Sequence, residues 1–278
     1  MKIINKIDEL KREIRNLKGS IGLVPTMGAL HNGHKSLIDK SVKENDNTVV
    51  SVFVNPIQFG PNEDLDKYPR TLETDCKLCE NAGATIVFAP TPAEMYSSSK
   101  DSLTLICPPY SVVDKLCGKS RPGHFDGVCS VVAKLFNLTK ANRAYFGQKD
   151  AQQLFIIKKM VADLNFDIEI IPCPIIREED NLALSSRNKY LTQNERKQAL
   201  TISKSLFEAK KLFENNTASK RAIIDNSLFL MKDLDVEYIE FVDINTFEFQ
   251  EEINKNTLML IAARTSETKT RLIDNMKL

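Results

Sequence analysis

The sequence predicts an α/β fold built on a parallel sheet, followed by a smaller C-terminal α+β domain. Three observations carry this. Up to about residue 171, short apolar runs alternate with amphipathic runs of helical spacing, the pattern of strands joined by crossover helices. The run Thr48–Val54 is β-branched and apolar throughout, as expected of a strand buried on both faces. After Pro172 and Pro174 the pattern changes to two helical stretches and then three strand-like runs.

Residues 5–17 place Ile7, Leu10, Ile14 and Leu17 on one helical face, and Gly19 ends the helix. Strand 21–24 leads into Pro25–His34, and Leu37, Ile38 and Val42 then recur at helical spacing. Strand 48–54 enters the turn Asn55–Gly60, and 61–70 reads as a polar loop. A helix after Pro69 runs to about Asn81, followed by strand 84–88, a further strand at Leu103–Ile106 and a short helix at Ser111–Cys117. Gly123–Gly127 is a turn before a helix carrying Val128, Val132, Leu135 and Phe136. Strand 143–146 enters Gly147–Asp150, helix 151–164 turns Leu154, Ile157 and Val161 inward, and strand 168–171 closes the first domain. The domain boundary falls near Arg177, giving domains 1–176 and 177–278. Beyond it, Thr192 and Glu195 form a capping box before a long helix, a second helix covers 219–232, and strands follow at 236–242, 258–262 and 271–273.

With 278 residues, 42% of them hydrophobic and 27% charged, the chain can bury a substantial core. A net charge of +1 implies no bulk attraction to nucleic acid or membrane, and neither is expected as a partner. The N-terminus turns polar too soon for a signal peptide, and no apolar run approaches the ~20 residues of a membrane span, so a cytoplasmic location is expected. The six cysteines then read as free thiols. Cys76 and Cys79 have CxxC spacing, but with Leu72 they read better as an apolar helix stripe than as a zinc or redox pair.

Candidate chemistry gathers at strand ends, where open α/β sheets bind ligands: 25–34, 55–60 and 147–150. In Pro25-Thr26-Met27-Gly28-Ala29-Leu30-His31-Asn32-Gly33-His34, a strand, a glycine turn and a helix start aim amides and a helix dipole at one place, which suits phosphate. It is not a Walker loop, because His34 intervenes between Gly33 and Lys35, and GxGxxG is absent. The HxGH pair can donate hydrogen bonds to phosphate oxygens or serve only as helix-capping or surface residues, whereas zinc would lack a third ligand. Lys149 can neutralise phosphate and Asp150 can hold Mg²⁺. Gln58 and Gln153 suit a small ligand rich in hydroxyl and carboxylate oxygens. Ser185, Ser186 and Arg187 suit a phosphate grip or a plain interdomain loop, and Arg121 and His124 add a charged turn.

The blocks PTMGALHNGH (25–34), FVNPIQF (53–59), DLDKYPRTLE (64–73), RPGHFDGV (121–128), KLFN (134–137), YFGQKDAQQL (145–154) and REEDNLALSSRNKYL (177–191) together resemble the pantothenate synthetase (pantoate–β-alanine ligase) family of the nucleotidylyltransferase superfamily. The resemblance implies a Rossmann-like sheet domain with a C-terminal α+β lid, and usually a homodimer. It implies ATP-dependent joining of (R)-pantoate to β-alanine through a pantoyl adenylate, with Mg²⁺, releasing pyrophosphate and AMP.

By resemblance, Met27, Gly28, Ala29, Leu30, His31, Asn32, Gly33 and His34 cover ATP, with His34 the assigned acid and both histidines stabilising the transition state. Gly147, Gln148, Lys149 and Asp150 contact ATP, Lys149 on its phosphates and Asp150 near Mg²⁺. Ile176 touches adenine, and Leu184, Ser185, Ser186 and Arg187 close over the phosphates. Gln58 and Gln153 hold pantoate, Gln58 also meets β-alanine, Asn55 belongs with them, and Arg121 and His124 line the site less directly. The chain departs from the family at Asn181 (usually glycine), Leu184 (methionine), Ser130 (threonine) and near Ala141 (often proline). Two other readings stay open on the sequence: a transferase that keeps its adenylylated product, and a non-catalytic nucleotide-binding regulator.

Overall fold

The computed structural model describes residues 1–61, 63–96, 102–215 and 218–278. The chain forms two compact units: Met1–Gln148 with Gln152–Pro174, and Lys149–Ala151 with Ile175–Leu278.

The first unit holds six parallel strands: β1 (Lys2–Ile4), β2 (Ile21–Thr26), β3 (Asn47–Val52), β4 (Ile86–Phe88), β5 (Arg143–Gly147) and β6 (Glu169–Cys173). Their spatial order is β1-β4-β3-β2-β5-β6, so the winding reverses beside β2. Consecutive residues of each central strand feed opposite faces. Leu23, Val49, Ile86 and Ala144 face one core with α1 (Ile7–Asn16), α7 (His124–Thr139) and α8 (Ala151–Asp163). Val24, Val50, Val87 and Tyr145 face the other with α2 (Asn32–Glu44) and α3 (Leu72–Asn81). This double burial is why these strands read as continuous apolar runs.

Pro172 lies within β6, which the sequence reading ended at Ile171; β6 is an edge strand, where a missing N–H is tolerated. β1 had no sequence signal, because it buries only Ile4 while Ile3 stays exposed. The strand expected at Leu103–Ile106 does not form: the Ile106 N–H donates to Ser130 Oγ at 2.9 Å on α7 instead of to a ladder. Two short helices, α5 (Tyr110–Val113) and α6 (Leu116–Ser120), replace the one expected at 111–117. Another short helix, α4 (Pro92–Met95), follows β4. Part of the expected 61–70 loop, at residue 62, lies outside the described residues.

The second unit packs α9 (Gln193–Glu214) and α10 (Lys220–Leu230) against an antiparallel sheet of β7 (Asp235–Asp243), β8 (Thr257–Arg264) and β9 (Arg271–Lys277). The Thr192/Glu195 capping box opens α9 as the spacing predicts. Among the described residues, no helix is long and apolar enough to cross a membrane.

Candidate active site

β2 ends at Thr26, and the chain turns through Met27–Leu30 into α2. The turn needs left-handed backbone at Gly28 (φ 85°) and Ala29 (φ 51°). A side chain at Gly28 would come within 3.1 Å of Asp75 Oδ2. That carboxylate organises the turn. Asp75, 1% exposed on α3, accepts the Ala29 N–H at 3.0 Å and the Leu30 N–H at 2.8 Å, and the Thr71 hydroxyl donates to it as well. The Gly28 N–H donates to Thr26 Oγ1 at 3.2 Å. The turn's amides are therefore bonded inward, and the expectation that they converge on a phosphate is corrected for Gly28, Ala29 and Leu30.

The two histidines cap the helix. His31 Nδ1 accepts the Gly33 N–H at 3.1 Å, and His34 Nδ1 accepts the His31 N–H at 3.4 Å. This is a capping box made of imidazoles, with ring centroids 4.1 Å apart. An Nδ1 that accepts carries no proton, so in each neutral ring the proton sits on Nε2. Both side chains are thus held as Nε2–H donors at the N-terminal end of α2.

At the end of β3, a 3-10 turn (Pro56–Gln58) carries Gln58, 7% exposed. Its Oε1 accepts from Asn55 Nδ2 at 3.0 Å, and its Nε2 donates to Met27 Sδ at 3.1 Å, which joins it to the histidine turn. Asn55 Nδ2 also donates to the Gly127 carbonyl at 3.1 Å. Gly127 has no room for a side chain: a Cβ would sit 2.6 Å from both Gln58 Cα and the Ile57 carbonyl oxygen. His124 is buried, with Nδ1 2.8 Å from the Gln58 carbonyl and Nε2 2.9 Å from Arg121 Nη1. A carbonyl only accepts and a guanidinium only donates, so Nδ1 carries the proton and Nε2 accepts. Arg121 in turn holds Glu63 through two bonds of 2.6 Å. Burial pushes the Glu63 carboxyl upward, but the Arg121 guanidinium outweighs this and holds it below the usual carboxylate range.

β5 ends at Gly147, where a Cβ would meet nothing within 4 Å, leaving open space at the strand end. Gln152 and Gln153 separate cleanly. Gln152 is buried and bonds to Val112, Lys115 and Gly118 backbone, a structural role, while Gln153 is half-buried. Within the second unit, Asn275 Nδ2 donates to the Lys149 carbonyl at 2.9 Å, with Lys149 half-buried and Asp150 exposed. The Leu184 N–H donates to the Ile176 carbonyl at 3.0 Å, which puts these two residues side by side. Ser185 Oγ accepts the Arg187 N–H at 3.3 Å and caps the 3-10 turn Ser186–Tyr190.

The sequence profile described as Pantoate-beta-alanine ligase matches residues 2–277. The chain belongs to the pantoate–β-alanine ligase family. It is accordingly an enzyme, a ligase. The pantothenate synthetase of Clostridium novyi (strain NT) is 53% identical over 278 residues, covering 98% of this chain and 96% of the relative. That of Clostridium acetobutylicum is 52% identical, covering 99% and 98%. Among solved structures, the pantothenate synthetase from Thermus thermophilus superposes with a TM-score of 0.93 at 38% identity, covering 100% of this chain and 99% of that one. A pantoate-beta-alanine ligase from Francisella tularensis, complexed with Beta-gamma ATP and Beta-alanine, superposes at 0.81 with 35% identity, covering 100% and 97%.

Two of the departures from the family's pattern have local accounts. Asn181 adopts φ 72°, which asparagine tolerates better than most residues, so the turn normally made by glycine persists. Ser130 keeps a hydroxyl for the Ile106 amide. Cys76 and Cys79 are buried free thiols, and burial pushes Cys79 up to about 12, so the CxxC is core. Leu72, expected beside them, is instead 43% exposed. Among the described residues, no group of three His, Cys, Asp or Glu side chains is placed to hold a metal. Asp75, Glu63 and Tyr96, whose hydroxyl donates to Asn55 Oδ1 at 2.7 Å, are the polar partners that sequence reasoning missed. Only Asp75 left a signal, an acidic residue inside the buried Cys76/Cys79 stripe.

Proposed function

We propose that this ligase condenses (R)-pantoate with β-alanine at the expense of Mg-ATP, through a pantoyl-adenylate intermediate. The pantoate carboxylate attacks the α-phosphorus and pyrophosphate leaves. The β-alanine amine then attacks the acyl carbon, AMP leaves with the acyl-bridging oxygen, and pantothenate forms. The observation that carries this reading is the histidine capping box: two imidazoles fixed as Nε2–H donors, joined through Met27 to the Gln58 pocket. Donors preorganised toward developing phosphoryl charge are what the first step requires. A relative at 35% identity complexed with Beta-gamma ATP and Beta-alanine supports the substrates.

In this assignment His31 and His34 stabilise the transferring phosphoryl group, and Lys149 neutralises phosphate charge. Met27 to His34, Gly147 to Asp150, Ile176 and Leu184 to Arg187 bind ATP. The open space at Gly147 is consistent with close ligand approach. Mg²⁺ enters with ATP, and the exposed Asp150 carboxylate suits an ion that takes one or two carboxylates besides phosphate oxygens. Gln58 and Gln153 bind pantoate. Residues 1–176 form the substrate-binding domain and 177–278 the lid. Free cysteines fit a reducing cytoplasm, and the homodimer is tested by light scattering.

The decisive experiment uses pantoate labelled with ¹⁸O in its carboxylate. With Mg-ATP alone it should yield pyrophosphate, and after β-alanine is added the label should appear in AMP. AMP without ¹⁸O removes the adenylate. Pyrophosphate release with another acceptor, and none with pantoate, indicates a nucleotidyl transferase, and no turnover at all indicates a regulator.

A further inference from the structure

We infer that Tyr96 is a positioning residue: through Asn55 it fixes the Gln58 side-chain amide so that its N–H end faces the acid substrate. The inference rests on the assignment of Gln58 to pantoate.

The chain of bonds has only one consistent polarity. The Tyr96 hydroxyl lies 2.7 Å from Asn55 Oδ1, and an amide oxygen only accepts, so Tyr96 donates. Burial pushes the Tyr96 hydroxyl above its usual value, so it keeps this proton at working pH. Asn55 is 1% exposed, and its Nδ2 is committed to the Gly127 carbonyl and to Gln58 Oε1. One lone pair of Oε1 is held from behind by Asn55, which turns Oε1 toward the protein and makes Nε2 the end of Gln58 with the weakest partner. Its acceptor here is Met27 Sδ, a thioether and a weak one that an oxygen ligand displaces readily.

Two consequences follow. Gln58 recognises acceptor atoms, such as carboxylate or hydroxyl oxygens, and discriminates against ligands that present an N–H there. Asn55, although near the pocket, acts through Gln58 and does not touch substrate. Tyr96 sits at the end of α4, outside every block that carries the family resemblance in sequence, and its ring packs against Phe53 with centroids 6.1 Å apart. Tyr96→Phe removes the donor and keeps that ring contact.

The test is a double-mutant cycle between Tyr96→Phe and Gln58→Ala, read as KM for pantoate and KM for ATP. Tyr96→Phe should raise KM for pantoate about three- to tenfold, the range of one net hydrogen bond, with KM for ATP within twofold of wild type. In the Gln58→Ala background the same substitution should change neither constant further. Asn55→Asp, which turns an acceptor toward Oε1 and favours the flipped amide, should act in the same direction and more strongly. A silent Tyr96→Phe beside a damaged Gln58→Ala overturns this inference alone. So does an equal effect of Tyr96→Phe in both backgrounds, which marks a merely structural residue. A Gln58→Ala enzyme with wild-type KM for pantoate overturns the parent assignment, and this inference with it.

Discussion

Asp75→Asn is the sharpest probe of the histidine turn. The carboxylate presents two acceptor oxygens to two buried amides, Ala29 at 3.0 Å and Leu30 at 2.8 Å. Asparagine keeps one oxygen and turns an NH₂ toward the other amide, so one buried donor loses its acceptor and the surviving bond loses its charge. Leaving a buried donor unsatisfied costs about 1–3 kcal/mol. At about 2–4 °C per kcal/mol for a chain somewhat smaller than this one, the melting midpoint should fall by roughly 2–12 °C. The same bonds hold Ala29 at φ 51°, a conformation that costs a non-glycine residue about 1–2 kcal/mol and that relaxes once its restraint is weakened. His31 lies two residues on, so its ring moves with the turn, and a displacement of about 1 Å is enough to lower the chemical step by ~10²-fold. Rapid-quench single-turnover formation of pyrophosphate, at saturating Mg-ATP and pantoate, reads that step without product release. A variant with wild-type melting and wild-type single-turnover rate would refute the claim that Asp75 organises the turn.

Three further outcomes are expected. His34→Ala should slow single-turnover adenylation by ~10²-fold or more, as for loss of one preorganised donor, and an unchanged rate would remove its role in that step. Gly127→Ala should weaken pantoate binding and lower the melting midpoint together, because its Cβ would lie 2.6 Å from Gln58 Cα and α7 must shift; isothermal titration beside calorimetric melting checks both. Glu195 governs acid stability of the second unit. Burial pushes its carboxyl upward, but hydrogen bonds from Thr265, Thr192 and Thr268 outweigh this and bring it down to about 2. A depressed folded-state value gives stability that is complete above the unfolded value near 4.5 and is lost as pH falls toward 2. Glu195→Gln should therefore be less stable at neutral pH and show a flatter dependence between pH 4.5 and 2, measured by urea unfolding across that range.

What the sequence made legible follows from how each feature is encoded. Strands β2 to β5 were readable because both faces of each are buried, so burial writes itself as an unbroken apolar run. β1 escaped because one buried residue, Ile4, is no pattern. Leu103–Ile106 misled because apolar character marks burial and says nothing about where the amides go; here the Ile106 amide goes to a serine on a helix. The same gap separates the candidate site from its supports. His31, His34 and Gln58 stood out because polar groups at strand ends are conspicuous against a buried sheet. Asp75, Tyr96 and Glu63 did not, since each meets its partner only through the fold, across 46, 41 and 58 residues of chain.

Those supports also reverse one physical argument. A glycine turn at a helix start suggests backbone amides offered to phosphate, but Asp75 and Thr26 take the amides of Gly28, Ala29 and Leu30 for the protein itself. The imidazoles, not these amides, are then the donors that the proposed reading assigns to the phosphates at this helix end. On that reading, histidine suits the position where a Walker loop has lysine. An Nδ1 that accepts a backbone N–H performs the cap and leaves Nε2–H able to donate, whereas an ammonium, which can only donate, cannot do both.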